Sequence, residues 1–213
     1  MKAIERSSRV KTARAAKQVL YPILRRILGF DCETDGVPKK GKMPQSTDVT
    51  FATSNTTYEV KNRLPINSRL CQPGALVARS MKYGDLQTRS QTTYKAAREV
   101  HGILENLQTG LIGWAHNARF DIAVLEGLLF QNLFNPYQLK TKLEGIFCSW
   151  EWSRFLETLG PLEQASSFKL ADVARALDLH IHPAMLHTAS GDVALLKLIV
   201  EVLLTTHPKF LAE

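Results

Sequence analysis

The chain has 213 residues, 45% of them hydrophobic, enough to bury the core of one domain. Its three cysteines, Cys32, Cys71 and Cys148, stand far apart with no CxxC pair, which argues against a disulfide framework or a zinc ribbon and fits a reducing compartment. The formal net charge of +7 sits wholly in residues 1–29, where eight basic side chains face one acid, Glu5.

That imbalance divides the chain into a basic leader, residues 1–25, and a folded domain, residues 26–213. The leader is rich in Arg, contains Ser and Ala, and is poor in acids, the composition of a mitochondrial transit peptide. A segment attracted to phosphate or anionic lipid, or a solvated basic helix preceding the fold, fits equally well.

The domain opens with "ILGF" (27–30), a buried strand that runs straight into Asp31, Glu33 and Asp35. "GVPKKGKMPQS" then has loop composition. "DVTFATS" and "TTYEVKNR" have the β-branched and aromatic content of two strands joined by a tight turn near Ser54 and Asn55. A polar stretch through "INSRLCQPGAL" leads to a helix from about Thr92 to Leu107, where Tyr94, Ala97, Val100, His101, Leu104 and Leu107 recur at helical spacing. The apolar run "GLIGWAH" reads as a strand, followed by a helix from near Asn117. Two more helices cover "KLADVARALDL" and Ala189 to Leu204. The apolar "VALLKLIVEVLL" within the last carries Lys197 and Glu201, so no run is fit to span a bilayer. Strands and helices in this order give an α/β sheet covered on both faces.

Side chains alternate along a strand, so Asp31 and Glu33 point the same way and Cys32 the other. Two adjacent carboxylates repel unless a cation neutralises them, and an all-oxygen pair suits Mg²⁺ or Mn²⁺. A solvated strand end accounts for the pair as well. In "GLIGWAHNARFDIAVLEGLL" a strand turns at His116 and Asn117 into a helix whose first turn carries Asp121. Capping by Asn117 and the helix dipole explain that acid without chemistry, yet a strand-to-helix junction at the carboxyl edge of a sheet is also where α/β folds bind ligands. In "HTASGDVALLKLIV", four residues separate His187 from Asp192, which heads a strongly apolar helix. Such a pair is more often structural than catalytic, and its weight comes from being third in an ordered series.

Asp31-x-Glu33, then "HNARFD" with Asp121, then His187-x4-Asp192 resemble the three motifs of the DEDDh 3′→5′ exonuclease family. Within it, "GFDCETDG", "QPGALV", "NARFD", "NLFNPY", "SSFKLADV" and "HTASGDVALLKLIV" are similar, in order and separation, to segments of the nuclease domain of bacterial exonuclease I. The similarity runs over residues 26–211. It implies an RNase H-like α/β fold, a central mixed five-stranded sheet with helices on both faces. It implies two divalent ions, Mg²⁺ with Mn²⁺ able to substitute, held by Asp31, Glu33, Asp121 and Asp192. Four carboxylates against two divalent ions balance in charge, and ions about 3.5–4 Å apart activate a water and stabilise the leaving 3′ oxygen. His187 is implied as the general base, a role suited to an imidazole. The implied reaction releases 5′-mononucleotides from the 3′ end of single-stranded DNA.

Implied substrate contacts are Glu33, Thr34, Lys169, Asn117 and Arg119. Lys169 stands where the family usually has Arg, and supplies charge without the bidentate fork. Asn117 and Arg119 shape the turn that presents Asp121. Asp35 departs from the family's apolar or small polar residue, and its charge is expected to disturb the terminal nucleotide. Trp150 and Trp152 read as packing before base stacking, and His180 and His182 as loop residues. The portions that follow the nuclease domain in exonuclease I are absent before Glu213, so either the enzyme is distributive or a protein partner replaces them. The implied location is cytoplasmic, for a protein of bacterial or phage origin, or the mitochondrial matrix through the leader. Two other functions fit the same residues: a 3′→5′ exoribonuclease or oligoribonuclease, and a nuclease-fold nucleic-acid-binding subunit of a larger assembly.

Overall fold

The computed structural model describes residues 22–36, 44–61, 84, 92–158, 167–182 and 186–206. Most of the leader, residues 37–43 of the loop after the first strand, and the "INSRLCQPGAL" stretch lie outside the described residues. Five strands, β1 (Ile27–Thr34), β2 (Ser46–Ala52), β3 (Thr57–Lys61), β4 (Leu111–Ala115) and β5 (Leu143–Cys148), form one sheet in the order β3-β2-β1-β4-β5. The sheet is mixed: β2 lies antiparallel to β1 and β3, whereas β4 lies parallel to β1 and β5. The helices are α1 (Thr93–Asn106), α2 (Ala118–Gln131), α3 (Gln138–Lys142), α4 (Ser149–Thr158), α5 (Leu170–Ala176) and α6 (Ala189–Thr206).

Strand alternation sorts β1 into two faces. Leu28, Phe30 and Cys32 join Val49, Phe51 and Val60 in a core closed by Val100 and Leu104 of α1 and Leu125 and Leu129 of α2. On the opposite face Ile27, Ile112 and Trp114 pack against Leu170 and Val173 of α5 and Leu195, Leu196, Ile199 and Val200 of α6. Each large side chain buried here is worth about 1.5–3 kcal/mol. The second core extends over β5, where Phe147 stacks on Trp114 at 4.1 Å and meets Trp152 edge-on at 5.0 Å. Trp152 is therefore packing, and Trp150 is 37% exposed.

Local sequence explains most boundaries. Thr92 caps α1, its hydroxyl accepting from the Lys95 amide at 3.3 Å. The tight turn between β2 and β3 closes through Thr53 and Thr56, around the expected Ser54 and Asn55. Arg26, the first residue of the expected domain, is tied into it: its guanidinium donates to the Gly110 carbonyl at 2.8 and 3.0 Å and pairs with Glu144. Three elements were not foreseen along the chain: α3, β5 and α4. The strand residues Glu144, Gly145 and Ile146 are exposed, so β5 lacks the buried stripe that makes an inner strand legible.

Asn117 corrects an expectation. It stands at the N-cap of α2 but adopts the left-handed conformation, φ 62° and ψ 48°, and its side chain makes no capping bond. The residue serves the turn by its tolerance of positive φ.

Candidate metal centre

The odd-numbered face of β1 is apolar until Gly29 and acidic beyond it. A Cβ on Gly29 would stand 3.0 Å from Val193 Cγ1, so the absence of a side chain lets the head of α6 lie directly over the strand. Asp192, one residue before Val193, is thereby brought to Asp31 and Glu33. Carboxylate oxygens of these three residues lie within 4.8 Å of one another.

Asp121 reaches the same place from the other side of the sheet. The pairing of β1 with β4 runs only as far as Gly29, because β4 stops at Ala115. The edge of β1 beyond Gly29 is open to α2, and the Cys32 amide donates to Asp121 Oδ1 at 2.9 Å. Asp121 is 2% exposed, and its Oδ2 is buried with no hydrogen-bond partner. A buried carboxylate oxygen without a donor is costly unless something cationic meets it.

The electrostatics agree. Burial raises the Asp121 carboxyl well above the ordinary carboxylate range, the charges of Glu33 and Asp192 add to the rise, and the Cys32 N–H partly offsets it. Burial, then the charge of Glu33, pushes Asp192 up to about 7, against a hydrogen bond from the His187 backbone N–H. Three acids meet within 4.8 Å and a fourth, Asp121, feels the charge of two of them, at a cost that a hard divalent cation would remove. The all-oxygen donor set, the three-carboxylate cluster and the orphaned Asp121 Oδ2 together fit Mg²⁺ or Mn²⁺.

His187 precedes α6 on an exposed turn, with φ 60°. It borders a cavity of about 240 Å³ together with Thr188 and Ser190 and with Asp48, Thr50 and Lys61 of the β2–β3 hairpin. Asp48 pairs across from Glu33 and Thr50 from Asp31, so this cavity adjoins the acidic cluster. The helix start is fixed by the Asp192 amide on the Thr188 carbonyl at 2.9 Å and the Gly191 amide on the Thr188 hydroxyl at 3.1 Å.

Thr34 is buried, and its hydroxyl donates to the Gly36 carbonyl at 2.6 Å. Asp35, expected as a stray charge near substrate, is turned inward instead. Its carboxylate accepts from the Gln45 amide at 2.8 Å and its own amide donates to the Gln45 carbonyl at 3.1 Å, clasping the two ends of the loop between β1 and β2. Burial raises its pKa. Asn117 is exposed at the turn, Arg119 is 90% exposed with Glu151 at 3.5 Å, and Lys169 is exposed at the N-cap of α5. His180 and His182 are exposed loop residues, as expected.

One half-buried group was given no role by its sequence position. His116 Nδ1 lies 2.9 Å from Ser149 Oγ, the ring also bonds the Phe168 carbonyl, and burial lowers its pKa to about 4. The only local signal is its place immediately before Asn117 and the α2 turn.

No protein-family model and no curated protein matches the sequence. Solved structures do. Escherichia coli exonuclease I in complex with a dT13 oligonucleotide aligns with a TM-score of 0.71 at 19% identity, covering 87% of this chain and 42% of that one. The zinc-bound form of an E. coli exonuclease I–single-stranded DNA complex aligns with a TM-score of 0.73 at 18% identity over the same shares, 87% and 42%. A product-bound exonuclease I gives 0.70 at 18%, over 87% and 45%. The chain shares its fold with exonuclease I. It spans less than half the length of those chains, and the mixed five-stranded α/β architecture expected from the motifs is the one found. No helix of the described residues is long and apolar enough to cross a membrane.

Proposed function

We propose that residues 26–213 form a DEDDh-type 3′→5′ exonuclease domain that degrades single-stranded DNA to 5′-mononucleotides. The observation that carries this reading is the meeting of Asp31, Glu33 and Asp192 at one strand end, with the buried, unpartnered Oδ2 of Asp121 in the same electrostatic field. The fold shared with exonuclease I, solved with single-stranded DNA oligonucleotides, supports the substrate class.

In this reading Asp31, Glu33, Asp121 and Asp192 hold two divalent ions, Mg²⁺ or Mn²⁺. Such ions, when bound, supply Lewis acidity and neutralise charge gathering on the phosphate. The protein's own groups do the rest. His187, on the exposed turn beside the cluster, takes the proton from the attacking water as its oxygen bonds to phosphorus. The bond from phosphorus to the 3′ oxygen of the penultimate nucleotide breaks, and that oxygen leaves with the shortened strand. Asp192 accepts the His187 amide, so the turn carrying the base is tied to the cluster it serves. Lys169 neutralises a substrate phosphate as a point charge, while Thr34, Asn117 and Arg119 border the terminal nucleotide.

The test is digestion of 3′-labelled single-stranded DNA with Mg²⁺, comparing the wild type with Asp31→Ala and His187→Ala, and with RNA of the same sequence in parallel. Stepwise release of 5′-mononucleotides by the wild type alone is expected. Equal activity in all three proteins would sink the assignment, and faster digestion of RNA would move the substrate to that class.

A further inference from the structure

The cluster accounts for the acids, but not for a half-buried histidine held by two other segments of the chain. His116 opens the β4–α2 connection. Its Nδ1 lies 2.9 Å from the hydroxyl of Ser149, a buried residue that opens α4 directly after β5. Its ring also bonds the carbonyl of Phe168, on the approach to α5. A carbonyl only accepts, so the ring donates there and is left to accept the Ser149 proton at Nδ1. Burial lowers its basicity, which keeps the ring neutral and this donor–acceptor pair intact.

The residue after Phe168 is Lys169. The peptide joining them is held at both its polar groups, the Phe168 carbonyl by His116 and the Lys169 amide by the Ser167 hydroxyl at 3.2 Å, and the Lys169 carbonyl accepts from the Asp172 amide at 2.9 Å. Ser167 is in turn held by Asp172 at 2.5 Å, and Asp172 by Arg175. The Lys169 side chain is exposed. An exposed cation on a hydrogen-bonded backbone, hung from the same turn that launches α2 and Asp121, holds its charge at a set place in the fold.

We infer that His116 is a positioning residue, joining the β4–α2 turn to the Phe168–Lys169 segment so that Lys169 meets the phosphodiester backbone of the strand being degraded. This rests on the proposed function. It adds that the grip on nucleotides beyond the scissile one depends on a neutral imidazole that touches neither substrate nor acid cluster.

The test uses two substrates with the full chain: a dT oligonucleotide, and the p-nitrophenyl ester of thymidine 5′-monophosphate, which has no further phosphates to hold. His116→Phe removes both hydrogen bonds and should raise KM for the oligonucleotide about 10-fold, with kcat changed far less, the size expected for losing an outer-shell support. The ester should lose much less. On a Lys169→Ala background the same substitution should add less than about 2-fold, because both act through one contact. His116→Gln, whose amide can still reach Phe168, should restore most of the oligonucleotide KM, and Ser149→Ala gives a milder version if His116→Phe does not fold. Independent, multiplying effects of His116→Phe and Lys169→Ala would overturn the inference, as would an equal fall in kcat on both substrates. A wild type inactive on both would instead overturn the nuclease reading, and this inference with it.

Discussion

One face of β1 meets one helix, α6, at two places built from opposite chemistry. At the amino end Ile27 and Gly29 meet Trp114, Val193, Leu196 and Val200 around an apolar cavity of about 200 Å³. Two residues further on, Asp31 and Glu33 meet Asp192. The contrast shows how a fold can hold repelling acids together. A carboxyl displaced to about 7 opposes folding at neutral pH by on the order of a few kcal/mol. The apolar side chains of α6 buried on the same sheet face contribute about 1.5–3 kcal/mol each, and several of them outweigh it. The amino end offsets what the carboxyl end costs, and the shared strand and helix make the two inseparable.

The acidic end is the more sensitive of the two to substitution. Asp31→Ala should lower kcat on single-stranded DNA by on the order of 10⁴-fold, as when a unit of interdependent groups loses a member, and His187→Ala by about 10²–10⁴-fold, the range for a general base. Neither should shift metal-free stability downward by the amounts a core truncation costs. Leu125→Ala, in the opposite core, should cost about 2–5 kcal/mol in denaturant melts without removing chemistry.

The acids also make stability depend on pH in a direction opposite to the usual salt-bridged carboxylate. Asp121 and Asp192 have folded-state pKa values above their unfolded ones, so the folded chain binds more protons than the unfolded. Their stabilising share is complete below about pH 4 and is lost as pH rises through about 7 for Asp192 and about 8 for Asp121. Thermal melts in EDTA should weaken across that window, and Mg²⁺ should restore more stability at pH 8 than at pH 5. A flat difference between the two pH values would remove the cation from the account.

A smaller effect sharpens the same point. Asp121→Asn keeps an oxygen for the Cys32 amide while removing a charge, so at pH 8 in EDTA its melting temperature should rise by about 2–4 °C, as about 1 kcal/mol does in a domain of this size. Activity should fall at the same time. Smallest is Gly29→Ala. Its methyl group would meet Val193 at 3.0 Å and push α6 a few tenths of an ångström from β1. A stability loss of about 1 kcal/mol is expected from overpacking. With Asp192 shifted, kcat should fall by more than that loss explains, read as a several-fold drop at temperatures where the variant is fully folded.

Much of this arrangement was legible in particular residues. The acids after "ILGF", the helical spacing from Tyr94 to Leu107 and the apolar run behind Asp192 each announce an element through its neighbours in the chain. The edge strand β5 was not legible, because Glu144, Gly145 and Ile146 are exposed and its identity comes from pairing with β4. Asn117 was read as a side-chain cap because the residue type is common there, whereas the turn uses its backbone. His116 carried no readable signal, since its partners Ser149 and Phe168 lie more than thirty residues away.

Alternation along β1 was sufficient to put Asp31 and Glu33 on one face, and the apolar pattern behind Asp192 was sufficient to make α6 a buried helix. Neither pattern contains the meeting of the two, which depends on a missing side chain at Gly29 and on α6 settling over it. Nor does any local pattern lead Asp121 to the Cys32 amide, 89 residues away, through the edge that β4 leaves open. Periodicity reports only what adjacent turns and pleats share; the field that raises these carboxyls exists once distant segments have excluded water around them.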